Sequence, residues 1–223
     1  MIQFRFRTVL IATCLIGLSW TATALELTQR QVPLDKSLSI SGAQKAAQKL
    51  FQLDAKGNEP IFLIIRTRSG FAPAAMILVD AIGAVEAPVH AVIQPEAFGV
   101  GAIVAAFCDK RYAFPNASVL FSKLEYASEK AMKDKPPLPQ EAADAYVARV
   151  WKATGKRLDI SAEKLTEKAS KGWFLSADEA KRVGLVHEII TKVNWTQLAV
   201  ETVEVKRTTV KKVKRPLPKG EQK

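Results

Sequence analysis

The sequence predicts an α/β fold in which a mostly parallel sheet surrounds a buried core helix. Three observations carry that expectation. Ile61–Ile65 is a continuous apolar, β-branched run, as suits a strand covered on both faces. Val100–Phe107 is small and apolar on every side, as suits a helix sealed inside a core. Around them, apolar runs alternate with helical periodicity, and a βαβαβ order implies parallel strands joined by right-handed crossovers.

Taken in order, the first 24 residues read as a secretory signal. Arg5 and Arg7 form a basic start without acids, Val9–Leu18 is apolar, and Ala22-Thr23-Ala24 supplies small residues at −3 and −1. An apolar run of about ten residues is too short for a membrane anchor, which needs roughly 20. Cleavage after Ala24 would start the mature chain at Leu25 and place it in the periplasm or outside the cell. One cysteine then remains, Cys108, beside the apolar Val104–Phe107. A single thiol forms no intrachain disulfide, and its surroundings predict a buried, inert group.

After the first strand, Arg66–Gly70 reads as a polar turn. Pro73 opens a helix with Ala75, Met76, Val79, Ile82 and Val85 at helical spacing, and Pro88 stops it. Val89–Ile93 reads as the second strand, Pro95–Gly99 as a turn into the core helix, and Val119–Phe121 as the third strand. The charged, proline-containing stretch Glu129–Pro139 interrupts this pattern. Gln140–Thr154 then forms an amphipathic helix with Tyr146, Val147, Val150 and Trp151. Its apolar content motivates an expectation of self-association. Ser161 and Ser176 are helix caps, because each hydroxyl can accept from the third amide beyond it. The helix after Ser176 is expected to end at Gly184, before a strand over Leu185–Ile190. Trp151 and Trp173 read as packing residues.

The net charge of +11 is uneven. The signal carries two arginines and no acid, while residues 206–223 hold eight Lys or Arg and one Glu, leaving +2 for the rest. The expected domain therefore spans residues 25–202. Residues 203–223 form a basic tail with neither apolar periodicity nor a core, and disorder is expected there. Such a tail is either a solvated terminus or a contact for an anionic surface, such as lipid headgroups, nucleic acid or an acidic partner. His90 and His187 are the only histidines. Neither has a second ligand nearby, so no metal is expected. No phosphate-cradling glycine loop is present, so no cofactor is expected either.

Several tracts, in order, carry a resemblance. They are the glycine turn Ser69-Gly70, Pro88 before the second strand, and Pro95-Glu96-Ala97-Phe98-Gly99-Val100-Gly101-Ala102. Lys110-Arg111-Tyr112-Ala113-Phe114-Pro115-Asn116, Phe174-Leu175-Ser176-Ala177-Asp178-Glu179-Ala180 and Gly184-Leu185-Val186 complete the set. Over roughly residues 58–192 the chain resembles the Clp protease proteolytic subunit, within the ClpP/crotonase superfamily. The resemblance implies a spiral of ββα units, self-assembly, and a Ser-His-Asp triad with an oxyanion turn. Carried over, the serine falls on Gly99, the histidine on Ser122 and the aspartate on Lys168, beside Glu167. The oxyanion-like pocket falls on Ser69, Gly70, Gly99 and Val100.

None of the three triad positions carries the residue that its role in the family's acyl transfer needs, which are a nucleophile, a base and a group to orient it. The expectation is a pseudoprotease with a binding or assembly role and a protein or peptide partner. An ATP-driven unfoldase is not expected as a partner outside the cytoplasm. Two alternatives stay open. Ser69 or Ser122 with Lys123 could form a serine–lysine hydrolase. The turn also resembles crotonases, through Ala97-Phe98-Gly99-Val100-Gly101 and Cys108-Asp109. Their two acid–base glutamates fall on Ile103 and Lys123, which leaves an acyl-binding role resting on backbone amides.

Overall fold

The computed structural model describes residues 24–134 and 136–196. The expected signal, up to residue 23, and the expected tail lie outside them. The chain begins with β1 (Ala24–Leu27), β2 (Gln31–Leu34), β3 (Ser37–Leu38) and α1 (Ile40–Asp54). β4 (Ile61–Thr67), β5 (Ser69–Gly70), α2 (Ala72–Ala84), β6 (Val89–Phe98) and α3 (Val100–Phe107) follow. Then come β7 (Lys110–Ala113), β8 (Ser118–Phe121), α4 (Glu129–Asp134), α5 (Gln140–Leu158) and α6 (Ala162–Ser170). β9 (Trp173–Ser176), α7 (Ala177–Arg182), β10 (Glu188–Ile189) and β11 (Lys192–Trp195) complete the order.

The main sheet is parallel, in the order β10-β7-β6-β4-β2. β6 changes partner along its length within this sheet. Its first half, His90 to Ile93, pairs with β7, and its last residues, Glu96 to Phe98, pair with β8. β9 then adds antiparallel to β8. This fork delivers the end of β6 directly into α3. The core helix is as sealed as its sequence predicts: every residue from Val100 to Ala106 is buried. Burying one side chain such as Ile103 contributes about 1.5–3 kcal/mol, so this helix anchors the turn before it.

Two buried arginines brace the periphery. Arg30 donates to the carbonyls of Leu53 in the last turn of α1 and of Gly57 and Glu59 beyond it, at 2.6–3.0 Å. Arg111 ties β7 to the last part of the chain through Leu185 O at 2.7 Å and Gly184 O at 3.1 Å. Cys108 is fully buried and its thiol is pushed far up by burial, as an inert core sulfur should be.

Several local expectations need correction. Arg66–Gly70 is not simply a turn: β4 continues to Thr67, and Ser69–Gly70 forms β5 on β3. The expected turn at Pro95–Gly99 is strand as far as Phe98, because β8 offers β6 a second partner. Leu185–Ile190 shortens to Glu188–Ile189, since Leu185 and Val186 N–H groups still bond Ala180 O at the end of α7. The self-association motive also weakens. α5 buries Ala143, Val150 and Trp151 inside its own chain, and it packs on α3 and α6. Both serine caps are present, and Ser176 with Glu179 forms a reciprocal capping box.

Candidate active site

Three segments meet where β6 runs into α3. Phe98 pairs with Leu120, and Gly99 N–H donates to Leu120 O at 2.8 Å. The chain turns at Gly99 with φ 55° and ψ −112°. Residues bearing a Cβ reach that backbone only at a cost, and glycine holds it without strain. A Cβ built at this position faces Ser122 and lies 3.6 Å from its Oγ. Positions 99 and 122 are therefore side by side, as a nucleophile and its base must be. One carries a hydrogen atom and the other a hydroxyl.

Lys168 sits on α6 with Nζ 4.4 Å from the centre of the Trp173 ring. Trp173 stacks on Phe121 at 5.6 Å and 27°, and Phe121 leans on Trp151 at 6.4 Å. Phe121 immediately precedes Ser122. The third triad position thus supplies a cation to an aromatic stack behind the site, a contact of about 0.5–1 kcal/mol where exposed. Glu167 turns to Lys171 at 2.6 Å, leaving its carboxylate held on the helix surface.

The oxyanion-like residues do come together. A Cβ at Gly70 would fall 2.6 Å from Val100 Cγ2 and 2.8 Å from Leu38 O, so only glycine fits. Ser69 N–H is already engaged by Lys36 O at 3.2 Å. The first α3 bond runs from Ile103 N–H to Gly99 O, which leaves Val100 N–H among the unpaired amides of the helix start. Arg68 and Glu96 form an ion pair beside this turn.

A cavity of about 520 Å³ begins one residue past Ser122. Leu124, Met132, Val147, Trp151 and Ala169 line it, with Lys123, Glu125 and Asp144 among its polar groups. Ser69, Gly70, Gly99, Val100 and Ser122 are not among its lining residues. Ala72 N–H donates to Glu125 O at 2.8 Å and ties the cavity's first wall to the start of α2. Sequence reading missed this cavity because it exists only where α5 and α6 fold over the 123–127 segment. The alternation of Leu124 and Tyr126 with charged residues was the one available hint.

The comparisons with known proteins agree with this geometry. A family model described as Clp protease matches residues 19–193. The ATP-dependent Clp protease proteolytic subunit 2 of Prochlorococcus marinus is 27% identical over 178 residues, covering 73% of this chain and 82% of that protein. A solved structure of a ClpP1 mutant from Listeria monocytogenes matches with a TM-score of 0.62 at 21% identity. That match covers 72% of this chain and 91% of the other, and it speaks for the fold. With the family pattern running from before β1 into β11, the chain belongs to the Clp protease family.

Proposed function

We propose that this protein is a catalytically inactive, exported member of the family that acts by binding or assembly. One observation carries the reading. The 3.6 Å approach of a position-99 Cβ to Ser122 Oγ supports the alignment of both positions, and neither supplies a nucleophile with its base. A misaligned reading would not put these two residues face to face. Lys168 reinforces it, because a cation on Trp173 cannot do the work of a carboxylate. The apolar cavity beside Ser122 is the natural seat for a peptide or protein partner. Export rests on the N-terminal signal pattern, and outside the cytoplasm no ATP-driven partner is expected.

Fluorophosphonate labelling and peptidase or ester turnover of the purified protein test this reading. No labelling and no turnover above background are expected. Gly99→Ser alone should stay inactive, since a serine without a base is a weak nucleophile. Gly99→Ser combined with Ser122→His and Lys168→Asp should restore weak ester hydrolysis. Robust hydrolysis by the unaltered chain, abolished by Ser69→Ala or Ser122→Ala, would overturn the inactive reading in favour of a serine nucleophile.

A further inference from the structure

The ribbon formed by β1 and β11 is only half covered. Its strands run parallel, with Leu25 opposite Val193 and Leu27 opposite Trp195, so these four side chains share one face. Leu25 and Leu27 are buried on Phe62, Ile64, Val92 and Tyr112 of the main sheet. Val193 and Trp195, on the same face, are 39% and 62% exposed. The apolar row starts on its own subunit and stops halfway. On the opposite face the ribbon is pinned, with Glu26 accepting from Asn194 at 2.7 Å and Thr196 at 2.9 Å.

Among the described residues, β11 pairs only with β1. Thr196 N–H bonds Leu27 O on the β1 side. Strand alternation then turns the backbone N–H and C=O of Val193 and Trp195 toward the open edge. An edge with unsatisfied backbone groups and an apolar face is a template for another strand.

We propose that a second copy of this chain occupies that edge, pairing β11 with β11 antiparallel about a two-fold axis at Asn194. The register centred there engages both outward residues of each β11 within the strand. It sets Val193 opposite Trp195 of the second copy, and the reverse, each pair exchanging two backbone hydrogen bonds. The apolar row then runs unbroken across four strands, with two aliphatic–aromatic cross-strand pairs at its centre. Charge favours the same arrangement. Lys192 is the only ionisable residue on β11. The antiparallel register places the two lysines at opposite ends, each facing Thr196, whereas a parallel pairing would set them next to each other. The contact is isologous, so it closes as a dimer. It is independent of whether the chain has catalytic activity.

The two Asn194 residues would form a non-hydrogen-bonded pair, where Cα atoms lie about 4.5 Å apart. That spacing is within the roughly 4.4–6.8 Å a disulfide spans. Mild oxidation of the Asn194→Cys protein should therefore give a disulfide-linked dimer. The parent beginning at Leu25, whose one thiol, Cys108, is buried, and an exposed control, Glu163→Cys, should give none. In sedimentation equilibrium, Val193→Pro removes an N–H that faces the open edge and should weaken dimerisation about tenfold or more with little change in melting temperature. Trp195→Ser provides a second variant, expected to act in the same direction. A chain ending at Thr196 should dimerise as well as the parent. A parent that stays monomeric, an uncrosslinked Asn194→Cys protein, or an assembly unaffected by Val193→Pro would overturn the proposal. So would loss of dimer on truncation, which would make the tail the occupant of the edge.

Discussion

A methyl group added at Gly99 meets only Ser122 Oγ, at 3.6 Å, whereas one added at Gly101 meets Thr67 Cβ at 2.9 Å. The two glycines therefore resist substitution for different reasons. At Gly99 the space is adequate and the backbone, at φ 55° and ψ −112°, carries the cost. Sparsely populated backbone of this kind costs about 1–3 kcal/mol for a residue with a Cβ. Gly99→Ala and Gly99→Ser should each lower stability by that amount in urea unfolding. An unchanged midpoint would mean that the turn relaxes. At Gly101 the helical backbone accepts alanine and the core does not, so Gly101→Ala should cost about 1–3 kcal/mol through overpacking. The first result bears on function. A serine at position 99 would be held under strain, and under the proposed inactive reading a glycine there releases it. Gly99 and Ser122 were legible from sequence because each sits at a set offset in its own short motif, the turn from Pro95 and the Pro115-Asn116 pair. Lys168 on Trp173 was not, since nothing local announces that ring.

At the scale of elements, β6, β7 and the segment leading to β10 set both histidines beside cations, His90 half-buried and His187 more exposed. His187 Nδ1 lies 3.1 Å from Arg111 N–H, and its Nε2 lies 2.8 Å from the Arg111 guanidinium. Burial first, and then Arg111, hold this imidazole below its usual value, and the acid Glu188 only partly opposes them. His90 lies between Phe62 and Tyr112 with a buried Nδ1 that has no partner. Burial and then Lys110 depress it too, against Asp109. A depressed folded value means that the unfolded chain binds these protons more readily. The stabilisation is thus complete above the unfolded value of about 6.5 and is lost as pH falls through the lower folded values. Melting temperature should drop between pH 7.5 and 5, and His90→Phe with His187→Gln should flatten that drop. An equally steep drop in the double variant would place the proton uptake elsewhere. The core helix and both serine caps were readable because each is a local pattern. β5 and the far half of β6 were not, because they are strands only by virtue of partners distant in sequence.

The least legible feature belongs to the whole molecule. The pairing of β1 with β11 joins residues 168 positions apart, as the Asn194–Glu26 bond shows. Four residues at each end of the described chain carry no pattern strong enough to predict it. It nonetheless constrains the proposed export. The expected cut lies between Ala24 and Leu25, and both residues belong to β1, paired with Lys192 and Val193. Leu25 is also buried on the outer face of the sheet. A peptidase needs the bond extended and accessible, so cutting must precede the docking of β1, and the last strand to form should be held back until the signal has gone. Precursor refolded to completion is therefore expected to resist signal peptidase, while precursor held in mild denaturant is cut after Ala24, as intact mass would show. Leu27→Ala, which removes a buried anchor of the ribbon, should loosen β1 and make the refolded precursor cleavable. Equal cutting of the folded and unfolded precursor would show that β1 does not guard the site. A mass beginning at Met1 in the extracytoplasmic fraction would remove the proposed cleavage, and absence of the chain from that fraction would remove the export reading itself.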